Sequence, residues 1–197
     1  MQGMNMEQIV LASASPRRKE ILKKAGYKLI VEKSEVDESK FSTDKIEPWK
    51  YAEQLALAKA KDVAPNYPFQ LVLGADTIID YDGEIIGKPL DEKEAEEIVS
   101  KLFSKPHKVI TGIALFKISD NTEIVTHDVT VVHPKKMSLE QIKEHVLSGT
   151  WKGKAGAYAI QETGDEFVEK IEGSMTNVMG LPLELIIKLL NELNTKK

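Results

Sequence analysis

The chain contains no cysteine, which removes disulfides, thiolate nucleophiles and cysteine-ligated metals in one step. Histidine is scarce as well. The four present (His107, His127, His133 and His145) are scattered, without the HExxH or HxH spacing of a zinc site. No stretch approaches the roughly 18 apolar residues that a membrane-spanning helix requires. The start, MQGMNMEQIV, lacks the basic and apolar regions of a secretion signal, so a cytoplasmic protein is the expectation. A surplus of positive charge is missing too: 27 Lys and Arg face 31 Asp and Glu, for a net charge of −4. That disfavours a protein that wraps duplex nucleic acid, although a few cations can still converge on a small anionic ligand. No repeat, low-complexity tract or long linker divides the chain. Residues 1–197 are expected to form a single domain, with 1–7 a flexible extension.

What is present is the alternation of short apolar runs with helical spacing. Residues 8–12, 28–32, 69–75, 107–117, 123–133 and 167–171 read as strands, and 78–80 with 84–86 as a hairpin turning at Asp82-Gly83. Helices are expected over 19–25, 49–63, 91–103, 138–147 and 183–193. Ser15 is a good cap for the first of these, Pro16 a good first helical residue, and Gly26 a good stop. Strands interleaved with helices predict an α/β fold. The long adjacent strands make its sheet mixed rather than purely parallel.

Several segments carry possible chemistry. Ser13-Ala14-Ser15-Pro16-Arg17-Arg18 places two hydroxyls and two guanidiniums at a helix N-terminus, which suits a phosphate; it also suits a well-capped surface helix. Asp76 follows a buried strand, where ligands of open α/β sheets bind, and could hold a divalent cation, accept a proton from water, or simply cap a turn. Lys88, in Gly87-Lys88-Pro89, could bring an ammonium to the same edge. The acidic run Glu35, Asp37, Glu38 offers oxygen ligands for a hard cation, or a solvated loop. Lys154-Ala155-Gly156-Ala157-Tyr158-Ala159-Ile160-Gln161 pairs a lysine with small residues, and Gln161 carries both a donor and an acceptor, as reading a nucleobase edge requires. Residues 173–182 read as a polar turn feeding the last helix. Taken together, phosphate donors, carboxylates and an amide reader favour a phosphorylated ligand.

These segments, in this order, closely resemble the Maf family of nucleotide pyrophosphatases: LASASPRR at 11–18, SEVDE at 34–38, LGADTII at 73–79, GKP at 87–89, TG at 111–112, KAGAYAIQ at 154–161 and GSMTNVMGLP at 173–182. The resemblance implies an inosine-triphosphatase-like (Maf/Ham1) α/β fold, a twisted mixed sheet flanked by helices with a cleft between two lobes. It further implies a homodimer and a divalent cation, Mg²⁺ or Mn²⁺. By the same resemblance Asp76 is the proton acceptor, Arg17, Thr77 and Gln161 govern substrate choice, and Asp37, Lys59, Lys88 and Lys154 line the cleft. The KAGAYxIQ form is similar to the branch acting on dTTP and UTP. Ala159, Gly153 and Met175 stand where glycine, aspartate and an aromatic residue are usual.

The expectation is therefore a pyrophosphatase that converts dTTP or UTP into the monophosphate and pyrophosphate. A cation on Asp76 and Asp37 would neutralise the triphosphate. Ser13, Ser15, Arg17 and Arg18, with Lys88 and Lys154, would grip the phosphates. Asp76 would activate the attacking water. The alternatives are a pyrophosphatase for 7-methyl-GTP or another non-canonical nucleotide, and a nucleotide-binding regulator of septum formation without turnover.

Overall fold

Apolar runs long enough to be covered on both faces become the middle of one seven-stranded sheet. The computed structural model describes residues 8–158 and 167–195. Its strands are β1 (Ile9–Ala12), β2 (Leu29–Glu32), β3 (Leu71–Tyr81), β4 (Glu84–Ile86), β5 (His107–Lys117), β6 (Thr122–Pro134) and β7 (Val168–Glu172). The helices are α1 (Pro16–Lys24), α2 (Pro48–Val63), α3 (Glu92–Leu102), α4 (Leu139–Leu147), α5 (Met175–Val178) and α6 (Leu183–Thr195).

The sheet order is β2-β1-β3-β5-β6-β7, with β4 paired to β3. β1 runs parallel to β2 and β3, whereas the β3–β5, β5–β6 and β6–β7 pairs are antiparallel. This is the mixed α/β sheet that the alternation of elements predicted. One boundary differs. The separate strands expected at 69–75 and 78–80 are a single strand, paired to β5 from Val72↔Phe116 through Asp80↔Lys108. The break in the apolar run at Asp76 and Thr77 marks side chains delivered to a site, not the end of an element.

Alternation along β3 sorts its neighbours. Leu73 and Ala75 pack with Leu22 of α1 and Ile186 and Leu190 of α6 on one face. Val72 joins Ala56, Ala60 and Val63 of α2 on the other. A third cluster, around Ile79, Leu102, Val109, Trp151 and Tyr158, gathers α3, α4 and the far end of the sheet. Helix starts follow the local chemistry. Ser15 Oγ accepts from the Arg18 N–H and Asp91 Oδ1 from the Glu94 N–H. Ser138 and Gln141 form a reciprocal capping box.

Candidate active site

β1 ends at Ala12, opposite Gly74 of β3, and β4 first pairs with β3 at Ile79. Over residues 75–78, β3 therefore has β5 on one side and an open edge on the other. This is the C-terminal end of the parallel β1–β3 pair, where open α/β sheets bind ligands. The two-residue period of a strand sends Asp76 toward α2 with Val72, and Thr77 toward the opposite face with Leu73 and Ala75.

On the α2 side, Lys59 Nζ lies 2.6 Å from Asp76 Oδ1 and 2.7 Å from Glu38 Oε1. One ammonium thus holds two carboxylates from segments far apart in sequence. Asp76 is nearly enclosed, at 6% exposure. Burial pushes its carboxyl above the ordinary range, against the lowering pull of the Lys59 and Arg18 charges and the Lys59 hydrogen bond. For Glu38, burial is the largest single influence and pushes upward. The Lys59 hydrogen bond and the charges of Lys59, Lys88 and Arg18 together outweigh it and hold the carboxyl below its usual value. Two neighbouring carboxylates are thereby pushed in opposite directions.

On the other face, Arg18 is a strut. Its Nε donates to Gly180 O (2.8 Å), its Nη1 to Ala75 O (2.8 Å) and Ser13 Oγ (3.3 Å), and its Nη2 to Thr77 Oγ1 (3.0 Å). Thr77 Oγ1 then meets Thr111 Oγ1 at 3.0 Å, and Thr111 donates to Asn177 O at 3.3 Å. Asn177 is fully buried and donates through Nδ2 to Val109 O and Thr130 Oγ1. Polar residues of the 11–18, 73–79, 111–112 and 173–182 segments are one continuous hydrogen-bonded network. Arg18, expected to grip phosphate, lines the cleft and also donates to four protein acceptors.

Between the two faces opens a cleft of about 490 Å³, lined by Ser13, Ser15, Arg17, Arg18, Glu38, Lys59, Asp76, Thr77, Lys88 and Lys154 among others. Lys33 and Lys152 also face it. Cations outnumber the two carboxylates, so the cleft is matched to a polyanion.

A family model described as Maf-like protein matches residues 8–193. The chain belongs to the Maf family. Among curated relatives, it is 43% identical over 187 residues to a protein named dTTP/UTP pyrophosphatase from Symbiobacterium thermophilum, covering 95% of this chain and 94% of that one. It is 40% identical over 185 residues to one of the same name from Pyrococcus furiosus, covering 94% and 95%. Among solved structures it is similar to a HAM1 protein from Coxiella burnetii, at 19% identity, 67% and 75% coverage and a TM-score of 0.44. The Ham1 protein of Staphylococcus aureus gives 16% identity, 65% and 72% coverage and the same TM-score.

The Maf motifs thus meet in space, with one departure from expectation. Asp37 does not line the cleft. Its Oδ1 accepts from the Ser39 N–H (3.1 Å) and Ser39 Oγ (2.6 Å), capping the short turn Glu38–Lys40. The carboxylate that reaches Lys59 and faces Asp76 is Glu38. The signal for this was present in Asp37-Glu38-Ser39, because an aspartate two residues before a serine is an Asx-turn pattern that occupies the first carboxylate locally. Gln161 lies outside the described residues. Among the described residues no group of three or more His, Asp or Glu converges. Asp76 and Glu38 nonetheless fit a hard divalent cation, since Mg²⁺ is commonly held by one or two carboxylates and completed by substrate phosphates.

Proposed function

We propose that this Maf protein hydrolyses dTTP and UTP to the nucleoside monophosphate and pyrophosphate, acting as one catalytic domain in a cytoplasmic homodimer. The observation that carries this reading is the buried Asp76 carboxylate, clamped by Lys59 at the open edge of β3 in a cleft rich in cations. The names of the curated relatives supply the pyrimidine triphosphates.

Arg17, Lys88 and Lys154 bind the phosphates from the cleft walls, and the hydroxyls of Ser13 and Ser15 sit where the α1 N-terminus favours an anion. Lys59 fixes one oxygen of Asp76, and the other takes the proton from water. The water oxygen bonds to the α-phosphorus, the bond to the oxygen bridging toward the β-phosphorus breaks, and pyrophosphate departs with that electron pair. Asp76 and Glu38 are the residues that would hold Mg²⁺ or Mn²⁺, whose chemistry is to neutralise phosphate charge and polarise the bound oxygens. Most of the acceleration in such chemistry comes from positioning and charge stabilisation, with the base adding about 10²–10⁴-fold. Thr77 and Gln161 are assigned to reading the base, where a buried polar edge rejects the wrong partner.

The test is purified protein against dTTP, UTP, CTP, GTP, 7-methyl-GTP and ITP with Mg²⁺ or Mn²⁺, with products resolved and Asp76→Asn run alongside. Pyrophosphate with dTMP or UMP, lost in a folded Asp76→Asn variant, supports the proposal. Release of single phosphates, or binding without turnover, overturns it.

A further inference from the structure

The loop that carries Lys154 into the cleft has an unusual backbone and unusual anchors. Gly156 and Ala157 both sit in the left-handed region, at φ +71° and +60°. A β-carbon at Gly156 would meet Ile79 Cγ1 and Leu102 Cδ1 at 2.9 Å each, so the loop is pressed hard against the core. For alanine this conformation persists only where the surroundings impose it.

Two buried histidines supply that constraint. His145 of α4 lies with Nε2 at 2.7 Å from Ala157 O, and a carbonyl can only accept, so Nε2 carries the proton. His107 of β5 has Nδ1 at 3.2 Å from Leu102 O and Nε2 at 2.6 Å from Tyr158 Oη. The Leu102 carbonyl fixes the proton on Nδ1. In the neutral ring Nε2 is then an acceptor, and the Tyr158 O–H donates to it. Between these anchors the Gly156 N–H donates to Gly87 O at 3.0 Å, tying the loop to the segment that holds Lys88. Neither imidazole lines the cleft, whereas Lys154, Ala155, Tyr158 and Lys88 do.

We infer that His107 and His145 are positioning residues for phosphate binding: through Tyr158 and Ala157 they hold the 154–158 loop so that Lys154 and Lys88 face the polyphosphate together. This rests on the reading that the cleft takes a nucleoside triphosphate. Their contribution is made in ground state and transition state alike, so it belongs in KM rather than in kcat.

The experiment compares Tyr158→Phe, His145→Leu and His145→Gln in dTTP hydrolysis, with near-UV circular dichroism confirming the fold. Tyr158→Phe removes only the O–H and retains the ring packed edge-on against Phe103. It is expected to raise KM about tenfold, with kcat within about twofold. His145→Leu is expected to do the same, and His145→Gln to recover most of the loss, because its amide N–H can still donate to Ala157 O. An unchanged KM in folded Tyr158→Phe overturns the inference. So does an equal fall of kcat and kcat/KM with KM unchanged in both His145 variants, which would mark a packing role alone. If Tyr158→Phe does not fold, the His145 pair decides. If the unaltered protein turns over neither dTTP nor UTP, the functional proposal has failed independently. The same variants are then compared for pyrophosphate binding by calorimetry, where about tenfold weakening supports the clamp and none refutes it.

Discussion

The backbone carbonyl oxygen of Ala56 lies 2.1 Å from the point that a β-carbon on Gly74 would occupy. A β-carbon on Gly112, in the neighbouring strand, would fall 2.3 Å from the Ala52 carbonyl. Helix α2 therefore rests directly on the backbones of β3 and β5, and that approach lets Lys59 reach Asp76 at 2.6 Å. Because the obstructing atoms are main chain, they cannot rotate aside. Gly74→Ala is expected to push α2 outward, to destabilise the fold by about 1–3 kcal/mol, and to lower kcat more than the folded fraction explains. Chemical denaturation paired with initial rates checks this. A stable variant with ordinary turnover would show that the contact is incidental.

Lys59 sets the charge state of the proposed base. Burial raises the Asp76 carboxyl, and the Lys59 charge is the largest influence pulling it back down. Lys59→Met removes that pull, so the proton is lost only at higher pH. Since a base works in its deprotonated form, the acidic limb of kcat/KM is expected to move upward in pH. Lys59→Arg, which retains the charge, should leave the limb nearer its original position. A full pH–rate profile of both variants is the check, and a limb that stays put in Lys59→Met assigns it to another group.

How far the sequence foretold this site depends on the range of each interaction. The cap at Ser15 was legible because it bonds within three residues. The inner strands β1 and β5 were legible because burial on both faces leaves nearly continuous apolar runs. Glu38 was not singled out over Asp37, because only the tertiary structure shows which carboxylate Lys59 reaches. The bracing contacts of Arg18 were hidden for a related reason. Two of its acceptors are the carbonyls of Ala75 and Gly180, and a backbone acceptor leaves no mark in a sequence. Asn177 read as a turn residue, yet it is a fully buried junction between β5 and β6.

Arg17 and Arg18 are adjacent and chemically identical, but the structure separates their consequences. Lysine cannot reproduce the fork by which Arg18 joins Gly180, Ala75, Ser13 and Thr77. Arg18→Lys is expected to cost about 2–3 kcal/mol, since charge-assisted hydrogen bonds to buried acceptors are lost. Arg17→Lys is expected to act mainly on KM, with a smaller change in stability. Urea unfolding and steady-state kinetics on both variants separate the two, and equal destabilisation would remove the strut role from Arg18.

The pH dependence of stability follows from His107. Burial lowers its pKa to about 4, although its backbone hydrogen bonds pull the other way. In the unfolded chain the same ring titrates near the ordinary value of about 6.5. As pH falls below that value the unfolded chain takes up a proton that the native state refuses, and the balance shifts toward unfolding until about pH 4. Above pH 6.5 the group contributes no slope. The loss across the window amounts to about 3 kcal/mol at most, one pKa unit being worth about 1.4 kcal/mol. His107→Gln retains an acceptor for Tyr158 but cannot take up this proton, so its stability should change less between pH 6.5 and 4 than that of the unaltered chain. Thermal melts of both proteins through that range measure the difference. Parallel curves would mean that carboxylates, not His107, govern unfolding in acid.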